Sequence, residues 1–209
     1  MIHADTPGLL IVISAPSGAG KTTICKGLLD KFPDLRFSVS CTTRPPRKGE
    51  RDAKDYHFIS ENDFKDRIAK SEFVEWEEIY GHFYGTLKKD IEDPILRGCD
   101  IILDIDTSGA GNIKSIYPDG VFVFIMPPSE EILKERLRKR GSETDDIIKM
   151  RFDRAMEEIR ENKWYDYVIF NDRVNSSVNI MRSVYMAEKN RTARAQPRIN
   201  NFYRITGGI

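Results

Sequence analysis

Four short apolar runs recur along the chain: LLIVIS at 9–14, IILDID at 101–106, VFVFI at 121–125 and YVIF at 167–170. A continuous run of this length, without polar alternation, is the pattern of a strand covered on both faces. Helical patterns lie between them. Residues 21–29 read as a helix that begins inside a glycine-rich turn. Residues 129–163 read as two helices joined by the polar bend RGSETDD, with Ser129 as cap and Glu130 and Glu131 in the first turn. Ile148, Phe152, Ala155, Met156 and Ile159 form a stripe along the second of these helices. Buried strands alternating with helices predict an α/β fold with a parallel core sheet.

Residues 37–90 break that rhythm. SVSCTTRPPR is polar and carries two prolines, KDYHFIS alternates over a short span, and EFVEWEEIYGHFYGT is aromatic with a turn inside it. Between them Ser60 reads as an N-cap with Asp63 in the first turn, and Phe64 and Ile68 lie one turn apart. The span reads as an inserted β-rich subdomain. The expected division is a single domain with a core of 8–36, 91–128 and 164–190, an insert of 37–90, a helical lid of 129–163 and a tail of 191–209. The tail shows no clear periodicity and is expected to be poorly ordered or loosely packed.

The 209-residue length suits one such domain, and the 40% hydrophobic and 32% charged content is that of an ordinary soluble protein. Lys plus Arg equals Asp plus Glu at 33, so the basic excess of a nucleic-acid binder is missing. Cations cluster instead in RPPRKGER at 44–51 and KERLRKR at 134–140. Three cysteines, with no CxxC pair or zinc spacing, fit reduced thiols in a cytoplasmic protein. No signal peptide is legible, and no apolar run approaches the ~20 residues that span a bilayer.

The turn after the first run is ISAPSGAGKTT, residues 13–23. Ala15, Pro16, Ser17, Gly18, Ala19, Gly20, Lys21 and Thr22 match a phosphate loop except that Ala15 stands where the pattern opens with Gly. In such a loop backbone N–H groups converge on phosphate oxygens, the lysine adds a point charge and the hydroxyl reaches Mg²⁺. Lys21 and Thr22 are therefore expected to bind a nucleoside triphosphate with magnesium. The fate of its γ-phosphate is a separate question. DTSG at 106–109 fits the D-x-x-G of a GTPase switch, but NKWY at 162–165 ends on Tyr165, with no carboxylate for guanine. Arg136, Arg140 and Arg151 near the bend point to phosphoryl transfer, which needs clustered cations and exclusion of water.

Ser40, Arg44 and Arg47, followed by Tyr56 and later by Glu75, Tyr84 and Thr86, make a second constellation. Two arginines and two tyrosines can hold a smaller phosphate by charge-assisted bonds. Glu75, just before Trp76, can face a base edge. With SAPSGAGKTT, SVSCTTRPPRKGE, KDYHFIS, EFVEWEEIYGHFYGT, ILDID, RGSETDD and VIFND in this order, residues 8–188 strongly resemble the guanylate kinases.

The resemblance implies a phosphate-loop α/β core with an inserted GMP-binding subdomain and a helical lid. It implies transfer of the γ-phosphoryl group from ATP to GMP, with Mg²⁺ accompanying ATP. It places Ser40, Arg44, Arg47, Tyr56 and Tyr84 on the GMP phosphate, and Glu75, Thr86 and Asp106 on guanine. Asp104 joins the GMP set from the strand end facing the phosphates. Arg140 and Arg151 are implied as lid arginines reaching ATP, and Asn171 as a neighbour of adenine. The ATP site then runs from Ala15 to Thr23 with Asn171, and Lys21, Arg44, Arg140 and Arg151 carry catalysis. Pro94, inside an expected helix, and the tail depart from the family pattern.

A phosphate monoester has a second pKa of about 6, so GMP needs no general base to become a nucleophile. His3, His57 and His82 are scattered, and His57 reads as strand decoration. Two rival readings are a non-catalytic guanylate-kinase-like scaffold, which would lack Lys21 or the lid arginines, and a kinase of another small acceptor. No partner beyond ATP and GMP is expected, neither nucleic acid nor membrane, and oligomeric state is left open.

Overall fold

The computed structural model describes residues 6–79, 81–139 and 145–205. Its core is a five-stranded parallel sheet in the order β2 (Arg36–Phe37), β7 (Ile101–Asp104), β1 (Leu10–Ser14), β8 (Val121–Met126) and β9 (Tyr167–Phe170). β1 lies at the centre, paired in parallel with β7 on one side and β8 on the other, and all five of its residues are buried. That is why it reads as an unbroken apolar run.

Helices cover both faces. α1 (Lys21–Lys31) and α7 (Val174–Lys189) close one face, packing Ile24, Leu28, Val178 and Met181 against Ile11 and Ile13. α3 (Lys88–Leu96) and α4 (Thr107–Ile116) close the other, packing Ile91 and Ile113 against Val12, Leu103 and Phe122. Chain order reverses at β1, so the crevice at the carboxyl ends of β1, β7 and β8 is the place where such sheets bind ligands.

A second sheet stands apart from the core, in the order β4 (His57–Phe58), β3 (Cys41–Thr42), β6 (His82–Leu87) and β5 (Phe73–Ile79). β5 and β6 pair antiparallel, with a register shift between Phe73 and Glu75. Its own small core holds Cys41, Phe64, Phe73 and Leu87, with Phe64 and Phe73 stacked at 4.3 Å. Gly85 permits this closeness, since a Cβ there would come within 2.9 Å of the Phe73 ring. α2 (Glu61–Ala69) covers this sheet and starts as its sequence predicts, with Ser60 Oγ accepting from the Asp63 N–H at 3.1 Å.

α5 (Glu130–Lys139) and α6 (Asp145–Arg160) form the helix pair, packed through Leu133, Leu137 and Ala155 with Ile148, Phe152 and Ile159 beside them. Ser129 Oγ accepts from the Ile132 N–H at 3.3 Å. Arg140 and most of the expected bend lie outside the described residues.

The tail is helical although its sequence shows no clear period: Thr192–Ile205 form α8, which runs through Pro197 and, with none of its described side chains buried, is loosely packed as expected. One proline removes a single backbone donor, and Arg194 ties the helix to the start of the fold through the Pro7 carbonyl at 2.6 Å. Pro94 likewise sits inside α3, near its end, without breaking it.

Candidate active site

The loop between β1 and α1 carries the glycine-rich turn, and α1 begins directly after Gly20. Gly20 has a φ of +96°, and a Cβ there would sit 2.4 Å from the Asn171 amide nitrogen. Only glycine satisfies both the left-handed backbone and the close approach. Asn171 itself is 2% exposed and lies behind the loop. Its Nδ2 donates to the Ala19 carbonyl at 2.7 Å and its Oδ1 accepts from Ser177 at 3.0 Å. Arg136 braces the same place, donating to the carbonyls of Ala19 (3.3 Å) and Asn171 (2.9 Å). Expected among the lid cations, Arg136 instead supports the loop's backbone.

Lys21 turns its ammonium to the end of β7. It pairs with Asp104 at 2.7 Å and donates to the Ile105 carbonyl at 2.7 Å. Burial pulls the Lys21 pKa down, but Asp104 outweighs it and holds the group charged. Thr22 Oγ1 donates to the other Asp104 oxygen at 3.3 Å. Asp104, expected with the GMP set, thus stands beside Lys21 and Thr22. From the helix pair, Arg151 reaches Ser17 Oγ at 2.9 Å, bringing one expected lid arginine onto the loop.

Across the crevice the second sheet supplies a different surface. Arg44 is 9% exposed, and its guanidinium lies 5.4 Å over the Tyr56 ring. Tyr56 and Tyr84 meet edge to face at 6.1 Å, while Arg47 is exposed at the rim. Farther in, Ser40 Oγ and Thr86 Oγ1 are 3.4 Å apart, and Thr86 Oγ1 donates to Glu75 Oε1 at 2.6 Å.

Asp106 enters this pocket from the core. It is the N-cap of α4, accepting from the Gly109 N–H at 2.7 Å, and it lies close enough to raise the pKa of Glu75. Burial, with Asp106 adding repulsion, pushes Glu75 up to about 7. Glu77, two residues along β5 on the same face, is also raised, by burial and by the nearby Asp106 carboxyl. The sequence reading missed Glu77, although the two-residue period of a strand signals it.

The crevice therefore has a cationic loop at one wall and an acidic, hydroxyl-bearing pocket at the other. Contacts join Lys21 and Thr22 to Asp104, Arg151 to Ser17, Arg44 to Tyr56, and Ser40 and Glu75 to Thr86, while Arg140 lies outside the described residues. A cavity of about 640 Å³ at the opposite end of the core sheet, beside Gly8, Tyr117 and Arg194, contains none of them.

A family model described as guanylate kinase matches residues 8–188. A guanylate kinase of Geobacter metallireducens is 52% identical over 187 residues, covering 90% of this chain and 92% of the relative. One of Carboxydothermus hydrogenoformans is 48% identical over 192 residues, covering 92% and 94%. The solved guanylate kinase of Anaplasma phagocytophilum superposes with a TM-score of 0.75 at 33% identity, covering 92% of each chain.

Proposed function

The chain belongs to the guanylate kinase family, and from that premise we propose how its own residues carry the reaction. The protein transfers the γ-phosphoryl group of ATP to GMP, giving ADP and GDP. The observation that supports the assignment of residues is the pair of unlike walls. Lys21 on a glycine-rich loop and the Glu75–Thr86 pair on the second sheet both lie within the electrostatic reach of Asp106.

ATP takes the loop from Ala15 to Thr23. Its backbone N–H groups and Lys21 hold the phosphates, and Asn171 acts from behind by fixing the Ala19 carbonyl. Thr22 Oγ1 and Asp104 offer the hard oxygens that Mg²⁺ takes, and among the described residues no cluster of three His, Cys, Asp or Glu stands ready as an all-protein cage. Such a donor set fits an ion held mainly by substrate phosphates and water. Bound there with ATP, Mg²⁺ would supply charge neutralisation at the β- and γ-phosphates.

GMP takes the second sheet. Arg44, Arg47, Tyr56, Tyr84 and Ser40 hold its phosphate, and Glu75, Thr86 and Asp106 read guanine. Guanine presents N1–H and its amino group as neighbouring donors, and an ionised carboxylate only accepts. Adenine presents a lone pair at the same place, so the pocket selects by leaving its own groups unpaired with the wrong base.

The difficulty of the step is repulsion between two anions. Arg44 and Arg47 neutralise the acceptor, while Lys21 and Arg151 neutralise the donor. Arg140 is assigned to the donor as well. Closing the insert (37–90) and the lid (129–163) over the core aligns the groups and excludes water as a competing nucleophile. A coupled assay of ADP formation against a panel of nucleoside monophosphates tests the whole reading. Turnover with GMP and little with AMP, CMP or UMP is expected, and equal turnover across the panel would overturn the base-reading assignment.

A further inference from the structure

Arg44 sits at the edge of the GMP pocket in an unusual state of partial satisfaction. A guanidinium carries five N–H donors. Nη1 donates to Glu50 Oε2 at 2.9 Å and to the Pro45 carbonyl at 2.7 Å, and Nη2 donates to Glu50 Oε1 at 3.0 Å. Those bonds occupy the outer end of the group. Nε is buried and has no hydrogen-bond partner. Nε–H and the second Nη2–H lie along one side of the planar group, the side-on edge that matches two oxygens of a phosphate. The guanidinium lies over the Tyr56 ring, and Glu50, with the Tyr84 hydroxyl nearby, favours its charged form.

Glu50 also fixes the turn on which Arg47 rides. Its Oε2 accepts from the Arg47 N–H at 2.7 Å, and its own N–H donates to the Arg47 carbonyl at 3.0 Å. The Arg44 and Arg47 contacts hold the Glu50 carboxyl below its usual range, so it remains ionised throughout neutral pH. A buried donor without a partner is costly, and here the cost is offset when an anion arrives.

We propose that Glu50 is the positioning residue of the acceptor site: it grips the outer end of Arg44 and the turn of Arg47 so that the Nε edge of Arg44 stands preformed for the phosphate of GMP. The inference rests on the assignment of Arg44 to that phosphate. An opposite role has the same contacts, in which Glu50 is a stand-in anion that GMP must displace. The unpartnered Nε favours positioning, and the two roles predict effects of opposite sign.

The test measures dissociation constants for GMP and for guanosine, which lacks the phosphate, in wild type, Glu50→Gln, Glu50→Ala and Arg44→Ala. Kinetics with ATP and GMP accompany the binding. Loss of a bidentate charged contact weakens GMP by about 10- to 100-fold in Glu50→Ala, and by less in Glu50→Gln, which keeps one acceptor. Guanosine affinity and the KM for ATP stay within about 2-fold of wild type, because neither ligand uses the Arg44 edge. The KM for GMP rises more than kcat falls, and the Gln-to-wild-type ratio is flat from about pH 6 to 8.

Tighter GMP binding in either Glu50 variant would establish the stand-in role and overturn the proposal. Unchanged GMP binding, or an equal loss for guanosine, would also overturn it. If Glu50→Ala does not fold, the isosteric Gln variant decides. Arg44→Ala separates the layers of inference. If it loses GMP while the Glu50 variants do not, the proposal alone fails. If it keeps GMP, the acceptor-site assignment fails and the proposal with it.

Discussion

The two walls of the crevice handle anions by different means. The proposed donor wall is a continuous stretch, Ala15 to Thr23, that runs into a helix start and offers backbone N–H groups there, with Lys21 as the added charge. The acceptor wall is assembled from side chains on β5, β6 and the connecting turns, with Asp106 contributed by the core. Their electrostatics differ as well. Each cation described on the donor wall has an oxygen partner in place, as Lys21 has Asp104 and Arg151 has Ser17. The acceptor pocket instead crowds Glu75, Glu77 and Asp106 together and raises the pKa of both glutamates. On the proposed assignment, a phosphate end built on cations and a base end built on crowded carboxylates give GMP one orientation.

The sharpest way to break this comparison is at Lys21. Lys21→Met is expected to lower kcat by about 10²- to 10³-fold, the cost of one preorganised charge partner. GMP affinity should stay close to wild type, because the acceptor wall is untouched. Turnover near normal in a coupled ADP assay would remove the donor wall's assignment.

Glu75→Gln comes next. Turning one acceptor oxygen into a donor should cut the GMP-over-AMP preference in kcat/KM by about 10²-fold, with a smaller change in ATP affinity. An unchanged ratio would mean that Glu75 does not read the base.

A third effect is set by pH. In the free protein Glu75 is pushed up to about 7. Below that value it is protonated and one of its oxygens becomes a donor, so GMP affinity should weaken by up to about 10-fold per pH unit as pH falls below 7. Calorimetry from pH 5.5 to 8.5 should show this slope in wild type and a reduced slope in Glu75→Gln.

The same shift has a stability consequence of opposite tendency. The folded pKa of about 7 lies above the ordinary value of 4.5, so the folded state binds the proton more tightly than the unfolded state. Stability is then fullest below the ordinary value and is lost as pH rises toward 7. A glutamine at position 75 escapes this loss. Its melting temperature should exceed that of wild type by about 2–5 °C at pH 8, with the advantage vanishing near pH 4.5. The smallest expected change is geometric: a bisubstrate analogue should reduce the radius of gyration in small-angle scattering, and an unchanged radius would count against closure of the two walls.

The donor wall was almost wholly legible along the chain. LLIVIS followed by a glycine-rich turn and Lys21 implies strand, loop and helix in that order, and β1 and α1 stand there. The interdigitation of the helix pair was legible too, because Ile148, Phe152, Ala155 and Ile159 keep a helical period. The helix of the tail was not, although its loose packing was: Arg194 on it reaches the Pro7 carbonyl near the other end of the chain, a contact that no local period reports. Arg136 was read as a lid cation and Asn171 as a neighbour of adenine, and what no local pattern shows is that both donate to the Ala19 carbonyl of the loop. A cation's residue type is visible in a sequence, but its partner is not.

What the chain by itself determined is whatever depends on neighbours a few residues away: buried strands, helix starts at Ser60 and Ser129, and the phosphate loop. Backbone dihedrals, caps and short-range periodicity suffice for these. Only the tertiary structure decided which carboxylate serves which cation. Asp104 lies 83 positions from Lys21 and pairs with it because β7 packs beside β1. Glu75 and Asp106 crowd each other because α4 begins under β5, and Glu50 grips Arg44 because a tight turn folds back on itself. Charges act through space over a few ångströms, and the chain alone does not state those distances.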